Sequence, residues 1–88
     1  MKKLRIFIQT GCPYCQAALS DLTWLLKEPV FYDIEPEIID ELAEPELADS
    51  YDYYYVPTFY YQDCKLHEGA ITKEELRLLL EAVKNDLR

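Results

Sequence analysis

Two cysteines separated by two residues, Cys12 and Cys15, close a short apolar run and open a stretch with helical spacing. No other feature narrows the choice of fold as much. The run Leu4-Arg5-Ile6-Phe7-Ile8 is rich in β-branched and aromatic residues, which predicts a strand over residues 2–9. Gln9-Thr10-Gly11 supplies a turn, and Pro13 suits the first position of a helix, where its missing N–H costs nothing. The helix expected over residues 13–27 carries Cys15, Ala18, Leu22 and Leu25 on one side, widened by Leu19 and Leu26. A residue at the helix start and one three positions later share a face, so these two thiols lie within reach of a disulfide. Unpaired N–H groups and the positive end of the macrodipole stabilise a thiolate there. Cys12 is therefore expected to be the exposed, attacking thiol and Cys15 its inward-facing partner. Trp24 lies off the centre of the stripe and reads as a flanking core residue.

Glu28-Pro29 ends the helix, and Val30-Phe31-Tyr32-Asp33-Ile34 reads as a second strand, parallel to the first across the intervening helix. Ile38, Ile39, Leu42 and Leu47 suggest a weaker helix over residues 35–49, limited by Pro36 and Pro45. The loop that follows holds Tyr51, Tyr53, Tyr54 and Tyr55. Two readings stay open for them: a contact surface, or one or two rings packed beneath the loop with the others incidental. Thr58 to Tyr61 reads as a third strand, Gln62-Asp63-Cys64 as a hairpin turn, and residues 65–68 as an antiparallel fourth strand. Thr72-Lys73-Glu74-Glu75 has the form of a capping box, opening a helix with Leu76, Leu79, Leu80, Val83 and Leu87 on one face. The expected order is β-α-β-α-β-β-α, an α/β fold with a four-stranded mixed sheet flanked by three helices.

Eighty-eight residues predict a single domain over 1–88, and half of them are apolar and spread along the chain. No apolar run approaches the roughly 18 to 20 residues of a membrane span, and the N-terminus lacks the apolar core of a signal peptide. A cytoplasmic protein without a membrane partner is expected. A formal charge of −8 argues against nucleic acid, since phosphate binding needs a basic stripe. Acid concentrates from Asp33 to Asp52, a stretch without Lys or Arg. It reads either as a solvated helix face or as an acidic surface beside the cysteines that repels anions and attracts basic partners. The three cysteines form an odd count, and a cycling dithiol fits a reducing compartment.

Cys12-Pro13-Tyr14-Cys15 resembles the active site of dithiol glutaredoxins, and Val56-Pro57-Thr58-Phe59 looks like the cis-proline loop that faces the Cys-x-x-Cys in the thioredoxin superfamily. The stretch Glu68 to Leu76 is more similar to the last strand and helix of thioredoxin. The resemblance spans nearly the whole chain and implies the thioredoxin fold. It further implies that Cys12 and Cys15 are catalytic, and that Gly11, Pro13, Tyr14, Val56 and Pro57 contact substrate. Pro57 should then be cis, and Val56 should present its backbone to an extended segment. There are departures. Gln9 stands where a glutaredoxin would carry a Lys, and Thr72-Lys73-Glu74-Glu75 replaces the paired acids that help hold glutathione. Gly11 stands where thioredoxins have a Trp, and Ile6 occupies the strand that carries their buried acid.

Thiol–disulfide exchange needs a thiolate, an access path and a second thiol to release the mixed disulfide. The expected function is thus a glutaredoxin-like oxidoreductase acting on protein disulfides, a monomer with no tightly bound cofactor and with glutathione as a candidate co-substrate. A glutathione-independent donor recharged by a flavin-dependent reductase is the alternative. An iron–sulfur carrier and a redox-sensing binding module stand as alternatives of another class. No metal ligands are assigned: a zinc site would need Cys64 and His67, both expected toward the opposite end of the sheet from the motif.

Overall fold

The computed structural model describes residues 1–86. Strand β1 (Lys2–Ile8) runs into helix α1 (Pro13–Leu25), and a single 3₁₀ turn at Pro29–Phe31 leads to strand β2 (Ile34–Asp40). Helix α2 (Pro45–Asp49), strands β3 (Thr58–Tyr61) and β4 (Cys64–Glu68), and helix α3 (Lys73–Lys84) complete the chain. The sheet order is β2-β1-β3-β4. β1 and β2 are parallel, and β3 runs antiparallel to both β1 and β4. The expected element order and mixed sheet are present. No helix among the described residues is long and apolar enough to cross a membrane.

The second strand corrects the expectation. It spans Ile34–Asp40 rather than residues 30–34, and the helix expected over 35–49 shrinks to Pro45–Asp49. Pro29 starts a 3₁₀ turn that drives Phe31 into the core. Asp33, just before β2, and Glu37 within it lie beside the cations of β1. Lys2 Nζ is 2.6 Å from Asp33, Lys3 Nζ 3.6 Å from Glu37, and Arg5 Nε 2.6 Å from Glu37. Each of these partly exposed pairs adds little stability; Arg5–Glu37 follows the parallel register directly, in which Lys3 stands opposite Glu35 and Arg5 opposite Glu37. Pro36 is tolerated because β2 is an edge strand. The first part of the acidic stretch is therefore a cross-strand charge ladder and not a helix face.

Alternation along β1 divides the core in two. Leu4 and Ile6 face a large cluster with Ala18, Leu22 and Leu25 of α1, Phe59 and Tyr61 of β3, and Leu76, Leu79, Leu80 and Val83 of α3. On the other face Phe7 joins Ile39, Ala48 and Tyr60, with Leu47, Tyr51 and Tyr53 packed against them. The Phe7 ring lies 4.7 Å from that of Tyr51 and 5.1 Å from that of Tyr53. So two of the four loop tyrosines, Tyr51 and Tyr53, are half-buried against the core, whereas Tyr54 and Tyr55 are exposed. The capping box forms as expected, with the Thr72 hydroxyl accepting from Glu75 N–H at 3.1 Å and Glu75 accepting from Thr72 N–H at 2.9 Å. Leu87, expected on the same helix face, lies outside the described residues.

Two smaller expectations also change. Trp24 is 59 % exposed and not part of the core; the ammonium groups of Lys27 and Lys73 lie 5.2 and 5.1 Å from its ring centroid. Strand β4 begins at Cys64, and the turn is Gln62-Asp63, with Gln62 in the left-handed region at φ 56°.

Candidate active site

The cysteines stand where β1 hands over to α1. Gly11 has a φ of +89°, a region that L residues rarely adopt, and a Cβ there meets nothing within 4 Å. The need for glycine is thus torsional and not steric. Cys12 N–H donates to the Gln9 carbonyl at 3.1 Å, tightening the turn. Cys12 is the N-cap residue of α1, Pro13 is its first residue, and the Cys12 sulfur accepts from Cys15 N–H at 3.4 Å. Thr10 ties the turn to β2 by donating its hydroxyl to Asp40.

The environments separate the two thiols. Cys12 is half-buried and Cys15 is 2 % exposed. The Cys12 thiol is pulled below its ordinary range, first by a hydrogen bond from the Cys15 thiol and then by N–H groups of Cys15 and Tyr14. Burial pushes the Cys15 thiol up to about 11, with a smaller opposing effect from Gln9. The Tyr14 ring projects outward, 63 % exposed.

The register of β1 with β3, Phe7 opposite Thr58, brings residues 54–57 to the same end of the sheet as Cys12. The Val56–Pro57 bond is cis. The Pro57 carbonyl accepts from Gly69 N–H at 2.8 Å, and the fully buried Thr58 donates its hydroxyl to the Tyr55 carbonyl. Gly11, Pro13, Tyr14, Val56 and Pro57 thus gather with Cys12 at one end of the molecule.

Two solved structures share this architecture. The germline-specific thioredoxin Deadhead of Drosophila melanogaster superposes with a TM-score of 0.69 at 21 % identity, over 90 % of this chain and 77 % of that one. A thioredoxin-like protein from Clostridium perfringens gives 0.68 at 24 % identity, over 94 % and 71 %. The chain has the thioredoxin fold. No protein-family model and no curated protein matches the sequence.

Within this thioredoxin fold, two acids acquire roles that the sequence did not suggest. Glu41 N–H donates to the Ile8 carbonyl at 2.9 Å, placing this carboxylate beside the motif, where its charge raises the pKa of both Cys12 and Cys15. Tyr53 donates its hydroxyl to Glu41 at 2.9 Å, and burial followed by that carboxylate raises the phenol strongly. Glu68 is the second. One carboxylate oxygen accepts from Tyr54 N–H at 2.5 Å and Tyr55 N–H at 2.9 Å, while Lys65 donates to the other at 2.7 Å. Lys65, then these N–H groups, hold the Glu68 carboxyl down at about 2. Sequence reasoning assigned Glu41 to a helix and Glu68 to a strand end. The only trace of the second role was an acid three residues after a lysine, next to Gly69.

The placement of Cys64 and His67 needs correction in part. Cys64 pairs with Tyr61 at the end of the sheet remote from the motif, as expected. His67 pairs with Phe59 nearer the motif's end, because β4 runs back toward it, and its Nε2 is 2.9 Å from the Ala70 carbonyl oxygen. Among the described residues, no three His, Cys, Asp or Glu side chains group to hold a metal ion.

Proposed function

We propose that the protein is a thiol–disulfide oxidoreductase that reduces disulfides in polypeptides through Cys12 and Cys15. The observation that carries this reading is the split between the thiols: an accessible Cys12 stabilised as thiolate at a helix start, and a buried Cys15 held as thiol. The Cys12 thiolate attacks one sulfur of the substrate disulfide, that S–S bond breaks, and the departing thiolate takes a proton from solvent. Cys12 is then neutral, which removes one of the charges that raise Cys15. Cys15 loses its proton and attacks the Cys12 sulfur. The Cys12–Cys15 disulfide forms, the mixed disulfide breaks, and two electrons have passed to the substrate.

Cys-Pro-Tyr-Cys supports a glutaredoxin type, with glutathione regenerating the dithiol. The charge of Glu41 beside both cysteines, with Gln9 close by, favours a second reading, a donor recharged by a flavin-dependent reductase, because an anionic tripeptide is repelled there. The test is the rate of reduction of a glutathionylated peptide with glutathione and its NADPH-coupled reductase, run beside insulin reduction from dithiothreitol. Turnover in the first assay, abolished by Cys12→Ser, establishes the glutaredoxin type. Activity in the second alone excludes glutathione as the donor and directs the search to a dedicated reductase, and activity in neither overturns the proposal.

A further inference from the structure

Tyr54 and Tyr55 combine features that rarely occur together. Their side chains are 86 % and 71 % exposed, yet their backbone is fixed from three directions. Both N–H groups end on one oxygen of Glu68, the Tyr55 carbonyl accepts from buried Thr58, and Pro57 is tied to Gly69. Lys65 holds the second oxygen of Glu68 and also reaches the Asp52 carbonyl, at 3.3 Å. β4 thus grips both ends of the segment that leads to Pro57. The side chains of Tyr54 and Tyr55 are left free to meet something else, at the end of the sheet that carries Cys12. Ordering a loop residue carries an entropic cost, and a loop ordered in advance spares that cost when a substrate segment docks.

We propose that Glu68 is a positioning residue for polypeptide substrates, its carboxylate fixing the backbone of Tyr54 and Tyr55 so that this loop is preformed beside Cys12. The inference rests on the disulfide-exchange reading. A small disulfide, which reaches Cys12 without lying along the loop, depends on Glu68 far less than a chain segment does.

The experiment compares insulin with 2-hydroxyethyl disulfide, each reduced from dithiothreitol by wild type, Glu68→Ala, Glu68→Gln and Lys65→Met. For Glu68→Ala, kcat/KM for insulin falls about tenfold further than for the small disulfide, the difference lying in KM, because the competent loop is then a minor population. Glu68→Gln, whose amide oxygen still accepts N–H, recovers most of that loss. Equal losses on both substrates, or an unchanged KM for insulin, overturn the proposal. If Glu68→Ala does not fold, Lys65→Met and amide exchange in the wild type decide. The first raises KM for insulin about threefold, and the second finds Tyr54 and Tyr55 amides protected. Unprotected amides overturn the clamp. Failure of the wild type on both disulfides defeats the exchange reading, and the amide measurement then judges the clamp by itself.

Discussion

The two faces of the sheet are closed by different means. Leu4 and Ile6 lie under two helices of thirteen and twelve residues, whose contacts are aliphatic apart from Phe31, Phe59 and Tyr61. Phe7, next to Ile6 in β1 and on the opposite side, lies under a helix of five residues and the rings of Tyr51 and Tyr53. The first cover buries apolar surface, the dominant favourable term in folding. The second ends in hydroxyl groups that touch charge and backbone. Tyr51 accepts from Arg5, Tyr53 donates to Glu41, and Tyr60 donates to the Asp52 carbonyl at 2.6 Å. Through Tyr53 and Glu41 the aromatic face is connected to the cysteines, whereas the helical face supports them only by holding α1 in place.

The sharpest way to break this contrast is a matched pair of cavities. Phe7→Ala costs about 3 to 5 kcal/mol and Leu80→Ala about 2 to 5, both read from urea melts. Only Phe7→Ala, which removes the ring beneath Tyr51 and Tyr53, shifts the pH profile of Cys12 alkylation; an equal shift in Leu80→Ala removes the distinction. Tyr53→Phe keeps the ring and deletes the bond to Glu41. It costs about 0.5 to 1.5 kcal/mol in the same melts, and a loss as large as that of Phe7→Ala contradicts the division between ring packing and hydroxyl contact. Glu41→Gln changes stability least and refines the electrostatic link. Its negative charge raises both thiols, so its removal lowers both pKa values, read as faster alkylation of Cys12 at a fixed pH below its midpoint. No change in rate cuts the connection between this face and the site.

The parts of the fold that the sequence revealed are those written in local signals. Period-two alternation marked β1, Pro13 after Cys12 marked the start of α1, and Thr72 with Glu75 marked the start of α3. The region from residue 30 to 49 misled because its identity is decided at a distance. Glu35 and Glu37 become strand residues by pairing with a strand some thirty positions earlier, while Ile38, Ile39 and Leu42 imitate a helical stripe. Trp24 depends on Lys73 from another helix, which spacing along α1 does not disclose. The same holds at the site. Cys12 and Cys15 were legible because their geometry is one helical turn, but Glu41 and Glu68 act through contacts that exist only after the strands assemble.

The most direct measurement is the alkylation rate of each cysteine against pH, followed by mass spectrometry of the reduced Cys64→Ser protein with iodoacetamide. Cys12 is expected to react with a midpoint below the ordinary thiol value, while the buried Cys15 stays unmodified at that midpoint and reacts only at clearly higher pH. Equal reactivity of the two thiols, or a Cys15 that ionises first, contradicts it.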